Sequence, residues 1–98
     1  MSLPVVLSPD ALDDVDDAHR WYEAQQPGRG DEFLTELQDR LQEIGQTPDL
    51  FGRVFRQVRA SRLPRSQFVV YYRVEPNRVV IQAVLHARAD PGRWQRRK

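Results

Sequence analysis

The sequence predicts an α+β domain of order β-α-α-β-β-β, in which an N-terminal helical hairpin packs on a small, mostly antiparallel sheet. Three observations carry that prediction. Apolar residues recur at helical spacing over residues 12–44, the period becomes strand-like from residue 54 onward, and a turn cluster splits the last two apolar runs into a hairpin.

Leu3 to Leu7 is an apolar run of strand length, ended by Ser8-Pro9. Ser8 suits a helix N-cap, Pro9 a first helical position where its missing N–H costs nothing, and Asp10 complements the helix dipole. Leu12, Val15, His19 and Tyr22 then mark one face of a helix running to about Gln25, with Asp13, Asp14, Asp16 and Asp17 on the others. Pro27-Gly28-Arg29-Gly30 breaks it. Leu34, Leu37, Leu41 and Ile44, widened by Phe33, mark a second helix ending near Gly45 and Pro48.

Beyond the Pro48–Gly52 turn, Val54, Val58 and Ala60 alternate with Phe55, Gln57 and Arg59, which reads as one strand with a basic face. Phe68–Val74 and Val79–Leu85 are β-branched and aromatic runs joined by Glu75-Pro76-Asn77-Arg78, an antiparallel hairpin. The tail from Ala89 leaves the sheet through a turn and ends in Gln95-Arg96-Arg97-Lys98.

With 98 residues, no cysteine, 40% hydrophobic and 30% charged residues, the chain is expected to form one small domain over residues 1–98. A chain of this size buries roughly 65% of its unfolded surface, so stability rests on packing rather than on disulfides or thiolate zinc sites. The amino terminus has no basic n-region, and no apolar run approaches the ~18 residues that span a bilayer. Cytoplasm is the expected location, with no membrane contact. Charge is sharply divided: residues 1–49 hold 12 acids and 3 bases, whereas residues 50–98 hold 2 acids and 12 bases. A basic surface of this kind can meet nucleic acid, an acidic protein or the chain's own acidic half. Fourteen of the 15 bases are Arg, which suits bidentate contacts with phosphate or carboxylate.

Catalytic candidates are few. Ser8, Ser61 and Ser66 have no neighbouring His in sequence, and there is no phosphate loop or dinucleotide fingerprint, so no cofactor is expected. His19 and His86 lack metal-ligand spacing, and Asp10/Asp14 and Asp13/Asp17 read as exposed acids at a helix start, so no metal is expected either. The remaining cluster is basic: Arg56, Arg59, Arg62 and Arg65 around the first C-terminal strand, and His86, Arg88, Arg93 and Trp94 after the last. If those strands are neighbours, the two groups converge at one end of the sheet. His86 then reads as a general acid or a hydrogen-bonded structural residue, and Trp94 as an aromatic platform or a packed lid.

The element order, the opening VLSPDALDDVDDAHRWY, the strand FRQVRASRLP and the hairpin FVVYYRVEPNRVVIQAVLHARADPGRW with its His-x-Arg ending together resemble the RelE/ParE superfamily of toxins from type II toxin–antitoxin systems. The resemblance covers nearly the whole chain and implies one of two activities. RelE-like members cut messenger RNA on the ribosome, and ParE-like members poison DNA gyrase. The RelE lysines ahead of the Leu-Arg pair fall on Phe55 and Gln57, and a further RelE arginine falls near Val69, so three cations are missing. Arg59 and Arg88 persist, and Trp94 stands near the RelE tyrosine, where indole is neither acid nor base. Losing several charge-stabilising groups costs rate multiplicatively. The resemblance therefore implies a ParE-like gyrase inhibitor. A ribosome-dependent endoribonuclease using Arg59, His86 and Arg88 is the alternative, and a non-catalytic nucleic-acid-binding module the second alternative. It also implies a cognate antitoxin, docked in a groove between helical hairpin and sheet lined by Trp21 and Leu37. Target or partner contacts fall on Arg56, Arg59, Arg62, Arg88, Arg93 and Trp94.

Overall fold

Ser8 separates the first strand from the first helix by the chemistry expected of a capping residue. Its extended backbone follows β1 (Val5–Leu7), its hydroxyl accepts from the Ala11 amide at 3.1 Å, and Pro9 opens α1 (Pro9–Gln25). In this computed structural model, which describes residues 2–97, there follow α2 (Arg29–Gln46), β2 (Arg53–Phe55), β3 (Val58–Arg62), β4 (Phe68–Glu75), β5 (Arg78–His86) and α3 (Gly92–Gln95). The break between the helices is confined to residues 26–28. Gly28 turns the chain with a left-handed φ of 94°, a conformation that costs glycine little. No helix among the described residues is long and apolar enough to cross a membrane.

The five strands lie in the order β1-β5-β4-β3-β2. β1 runs parallel to β5, with Val5 beside Val79 and Leu7 beside Ile81, and every other neighbouring pair is antiparallel. The α+β class and the mostly antiparallel sheet are as the sequence predicts. One strand expected over residues 54–60 is instead a hairpin: Arg56 adopts φ 53° and the chain reverses at Arg56-Gln57, placing Phe55 opposite Val58. Neither turn residue is Gly or Asn, the usual signals of a tight hairpin, so the reversal leaves no mark in the periodicity.

Both faces of the sheet are covered. The helices close one side over Phe33, Leu37, Ile44, Val70, Tyr72 and Ile81. The opposite side buries Val58, Val69, Tyr71, Leu85 and Trp94. Here the expected exit of the tail is corrected: residues after Ala89 fold back and lay α3 across the sheet, with the Trp94 ring stacked on Tyr71 at 4.2 Å and 14°. Of the two readings of Trp94, the structure shows the packed lid.

A bulge at Gln82, between the pairs Tyr71–Ala83 and Tyr72–Ile81, bolts the tail down. The Gln82 side-chain amide donates to the Trp94 carbonyl at 3.1 Å, and the Gln82 backbone carbonyl accepts from Arg97 at 3.2 Å. Arg97 also pairs with Asp14 on α1, whose Oδ2 lies 2.5 Å from the guanidinium and accepts from the Val84 amide at 2.9 Å. The three-residue β1 ends opposite Ile81, so Asp14 supplies the acceptor that a longer strand would have offered. The Asp14 hydrogen bond first of all holds the Arg97 pKa above its ordinary value, against the opposing effect of burial. Reading Asp14 as one more exposed helix-start acid is therefore wrong: it is 7% exposed and joins helix, sheet and tail.

Candidate functional site

β3 carries Arg59 and Arg62, which an odd separation sends to opposite faces of the sheet. Arg59 stands in register with Tyr72, on the helix-covered side. Its guanidinium donates to the Phe51 carbonyl at 2.6 Å and pairs with Asp49 at 3.2 Å, leaving the side chain 14% exposed. The Tyr72 hydroxyl donates to the Pro48 carbonyl at 2.8 Å, so the two residues together brace the segment between α2 and β2. Burial pushes the Tyr72 phenol above its ordinary pKa, and Arg59 opposes that shift. Arg59 is thus an internal brace rather than the exposed cation expected of it.

Arg62 and His86 lie at the other end of the sheet, on opposite faces. Arg62 pairs with Val69, and His86 with Phe68, whose ring meets the imidazole edge-on at 5.6 Å. His86 is exposed, and its Nδ1 accepts from the Arg88 amide at 3.1 Å, which ties the imidazole to the local turn. The partner of Arg59 lies four positions along β4 from that of His86, roughly 13 Å along the strand at about 3.3 Å per residue. Arg62, His86 and Arg88 share one end of the sheet, with Arg62 on the face of Val69 and His86 on the helix-side face of Phe68, while Arg59 lies further along. A set of Arg59, His86 and Arg88 acting on one phosphate is not assembled.

Arg56, Arg62, Arg88 and Arg93 are exposed and have no carboxylate within 4.0 Å among the described residues. They occupy the β2–β3 turn, the end of β3 and the segment around α3. Arg56 lies over the Phe55 ring at 5.1 Å, and Phe55 meets Trp94 edge-on at 6.0 Å. Trp94 is 5% exposed, so it supports this basic rim from beneath and offers no open face for base stacking.

A cleft of about 610 Å³ opens between α2 and the turn before β4, lined by Tyr22, Glu36, Asp39, Arg40, Pro64 and Arg65 among others. Glu36 accepts from the backbone amides of Arg65 and Ser66 at 2.8 and 3.1 Å, and the Tyr22 hydroxyl donates to the Ser66 carbonyl. Burial raises the Tyr22 pKa above the ordinary phenol value. Arg40 reaches across to the Ser61 hydroxyl and the Arg62 carbonyl, with its guanidinium over Phe51. Of the two expected groove residues, one is corrected. Leu37 is 3% exposed and committed to the helix-side core, while Trp21, 57% exposed, packs edge-on against Tyr22 without lining the cleft. The sequence did hold a usable signal, since Glu36 and Arg40 are spaced i, i+4 on the polar side of α2.

Residues 5–91 match the family of ParE toxins of the type II toxin–antitoxin system parDE. Among solved structures, the chain is similar to one described as the chromosomal ParDE system from P. aeruginosa, with a TM-score of 0.78 and 18% identity over 87% of this chain and 96% of that one. That likeness is one of fold. No curated protein sequence matches this chain.

Proposed function

We propose that this chain, which belongs to the ParE toxin family of type II toxin–antitoxin systems, inhibits DNA gyrase in the cytoplasm and is neutralised by a cognate antitoxin. The observation that favours gyrase over messenger RNA is the separation of Arg59 from His86 and Arg88. Cleaving a phosphodiester needs acid/base groups and charge stabilisers within hydrogen-bond reach of one phosphate. A gap of roughly 13 Å along the strand, with the Arg59 guanidinium already paired to the Phe51 carbonyl and Asp49, does not meet that need. An inhibitor that works by docking requires an exposed, rigidly supported surface, and Arg56, Arg62, Arg88 and Arg93 around the buried Trp94 supply one.

The experiment pairs two assays on the purified chain: gyrase supercoiling with trapping of cleaved DNA, and messenger RNA cleavage on translating ribosomes. Inhibited supercoiling with intact messenger is the expected result. Codon-positioned cleavage with unaffected gyrase would place the chain in the ribonuclease branch, and activity in neither assay would favour plain nucleic-acid binding. For the antitoxin, the unpaired arginines call for an acidic segment, and the cleft beside Glu36 and Arg40 for a helix with apolar spacing. Binding should weaken at high salt and on Arg56→Glu; an affinity indifferent to both would remove the electrostatic part of this reading.

A further inference from the structure

We propose that His19, Glu23 and Asp31 form a divalent transition-metal site, best suited to zinc, that bridges α1 and α2 at the tip of the helical hairpin. His19 and Glu23 are spaced i, i+4 and so share one face of α1, while Asp31 sits in the first turn of α2. One ligand atom from each lies within 4.8 Å of the others.

Three details set this cluster apart from an ordinary group of surface charges. First, His19 Nε2 and Asp31 Oδ1 are 3.3 Å apart. That is long for a charge-assisted hydrogen bond at about 2.7–2.9 Å. It matches the edge of a tetrahedron of ligands at about 2.0–2.1 Å from zinc, roughly 3.4 Å.

Second, Glu23 is already held in place: its Oε1 accepts from the Gly28 and Gly30 amides at 3.0 and 2.8 Å. The other carboxylate oxygen is left for a ligand, and the backbone serves as the outer shell that orients it. Third, residue 30 has to be glycine for the three side chains to meet. A Cβ there would stand 2.6 Å from Glu23 Cγ and 2.7 Å from His19 Cδ2. One imidazole, two carboxylates and an open fourth position for water suit zinc; calcium requires six to eight oxygen ligands, and no thiolate is present to favour softer ions.

The sequence expectation of no metal rested on the distance between the two histidines and on the pairs Asp10/Asp14 and Asp13/Asp17 being exposed helix-start acids. The structure answers it by completing the set with carboxylates, one of them from the next helix.

The test is zinc binding by the chelator-treated full chain, measured by calorimetry and by the change in Tm, with cobalt absorption as a report of coordination geometry. One zinc per chain, a raised Tm and tetrahedral cobalt bands are expected. Asp31→Asn, which keeps a polar group in the same place, should weaken zinc by about a hundredfold or more, and Gly30→Ala should do the same by displacing Glu23 and His19. His86→Ala should leave binding unchanged. Circular dichroism without metal verifies that each variant is folded. Zinc bound only at millimolar concentration, or binding that persists in both Asp31→Asn and Gly30→Ala or is lost in His86→Ala, would overturn the proposal.

Discussion

Replacing Asp14 by alanine removes the acceptor shared by Val84 and Arg97, and the structure allows its cost to be sized. The Val84 amide loses its partner beyond the end of β1, worth about 1–3 kcal/mol for a buried donor left unsatisfied. Arg97, whose side chain is 17% exposed, loses a two-pronged ion pair, and breaking a buried pair costs about 3–5 kcal/mol. The second figure is reduced here, because Arg97 keeps Asp10 at 3.8 Å and the Gln82 carbonyl at 3.2 Å. Together these give about 3 kcal/mol, or about 12–24 °C in Tm for a domain of this size. Denaturant unfolding of Asp14→Ala, Arg97→Ala and the double variant supplies the assay, with a coupling of about 1–3 kcal/mol between the two sites. The exposed neighbour in Asp13→Ala is the control and should change stability by less than about 0.5 kcal/mol. An Asp14→Ala effect no larger than that control, or no coupling to Arg97, would refute the account of how the tail is held.

Arg59→Ala should lower stability by about 1–2 kcal/mol, since the Phe51 carbonyl loses its donor, whereas Arg88→Ala should leave the fold unchanged and reduce inhibition of the target; denaturant melts beside a toxicity assay separate the two. Burial raises the pKa of all three tyrosines, Tyr22, Tyr71 and Tyr72. The unfolded chain therefore loses its phenolic protons first, and stability should fall as pH climbs past about 10; an ultraviolet titration showing a phenol ionising at its ordinary pKa in the folded chain would contradict this. Glu75 has the opposite sign, its pKa lowered chiefly by the hydrogen bond from Arg78. Its small contribution is present above the unfolded carboxylate pKa and lost as pH falls through the folded one, so wild type and Glu75→Gln should converge in acid.

What the sequence by itself determined is the local part of the structure. Ser8 and Pro9 announce the start of α1, the spacing of Leu34, Leu37, Leu41 and Ile44 announces α2, and Glu75-Pro76-Asn77-Arg78 announces the turn between β4 and β5. Each is set by residues within a few positions of one another, where capping, periodicity and turn preference act. The family resemblance was legible for the same reason, being carried by these segments in order. Only the tertiary structure decided which side chains meet across the fold. Asp14 and Arg97 are 83 positions apart, and nothing in a run of helix-start acids marks the one that reaches the end of β1. Arg59 and Arg62 look alike on one strand, yet the pleat sends one under the helices to brace Phe51 and leaves the other in solvent. Leu37 and Trp21 were equal candidates for a groove until helix rotation buried the first and exposed the second. The three ligands proposed for zinc come together only because Gly30 lets α2 approach α1. Pairings of this kind depend on the angle and depth at which elements pack, and those follow from the whole core rather than from any segment of it.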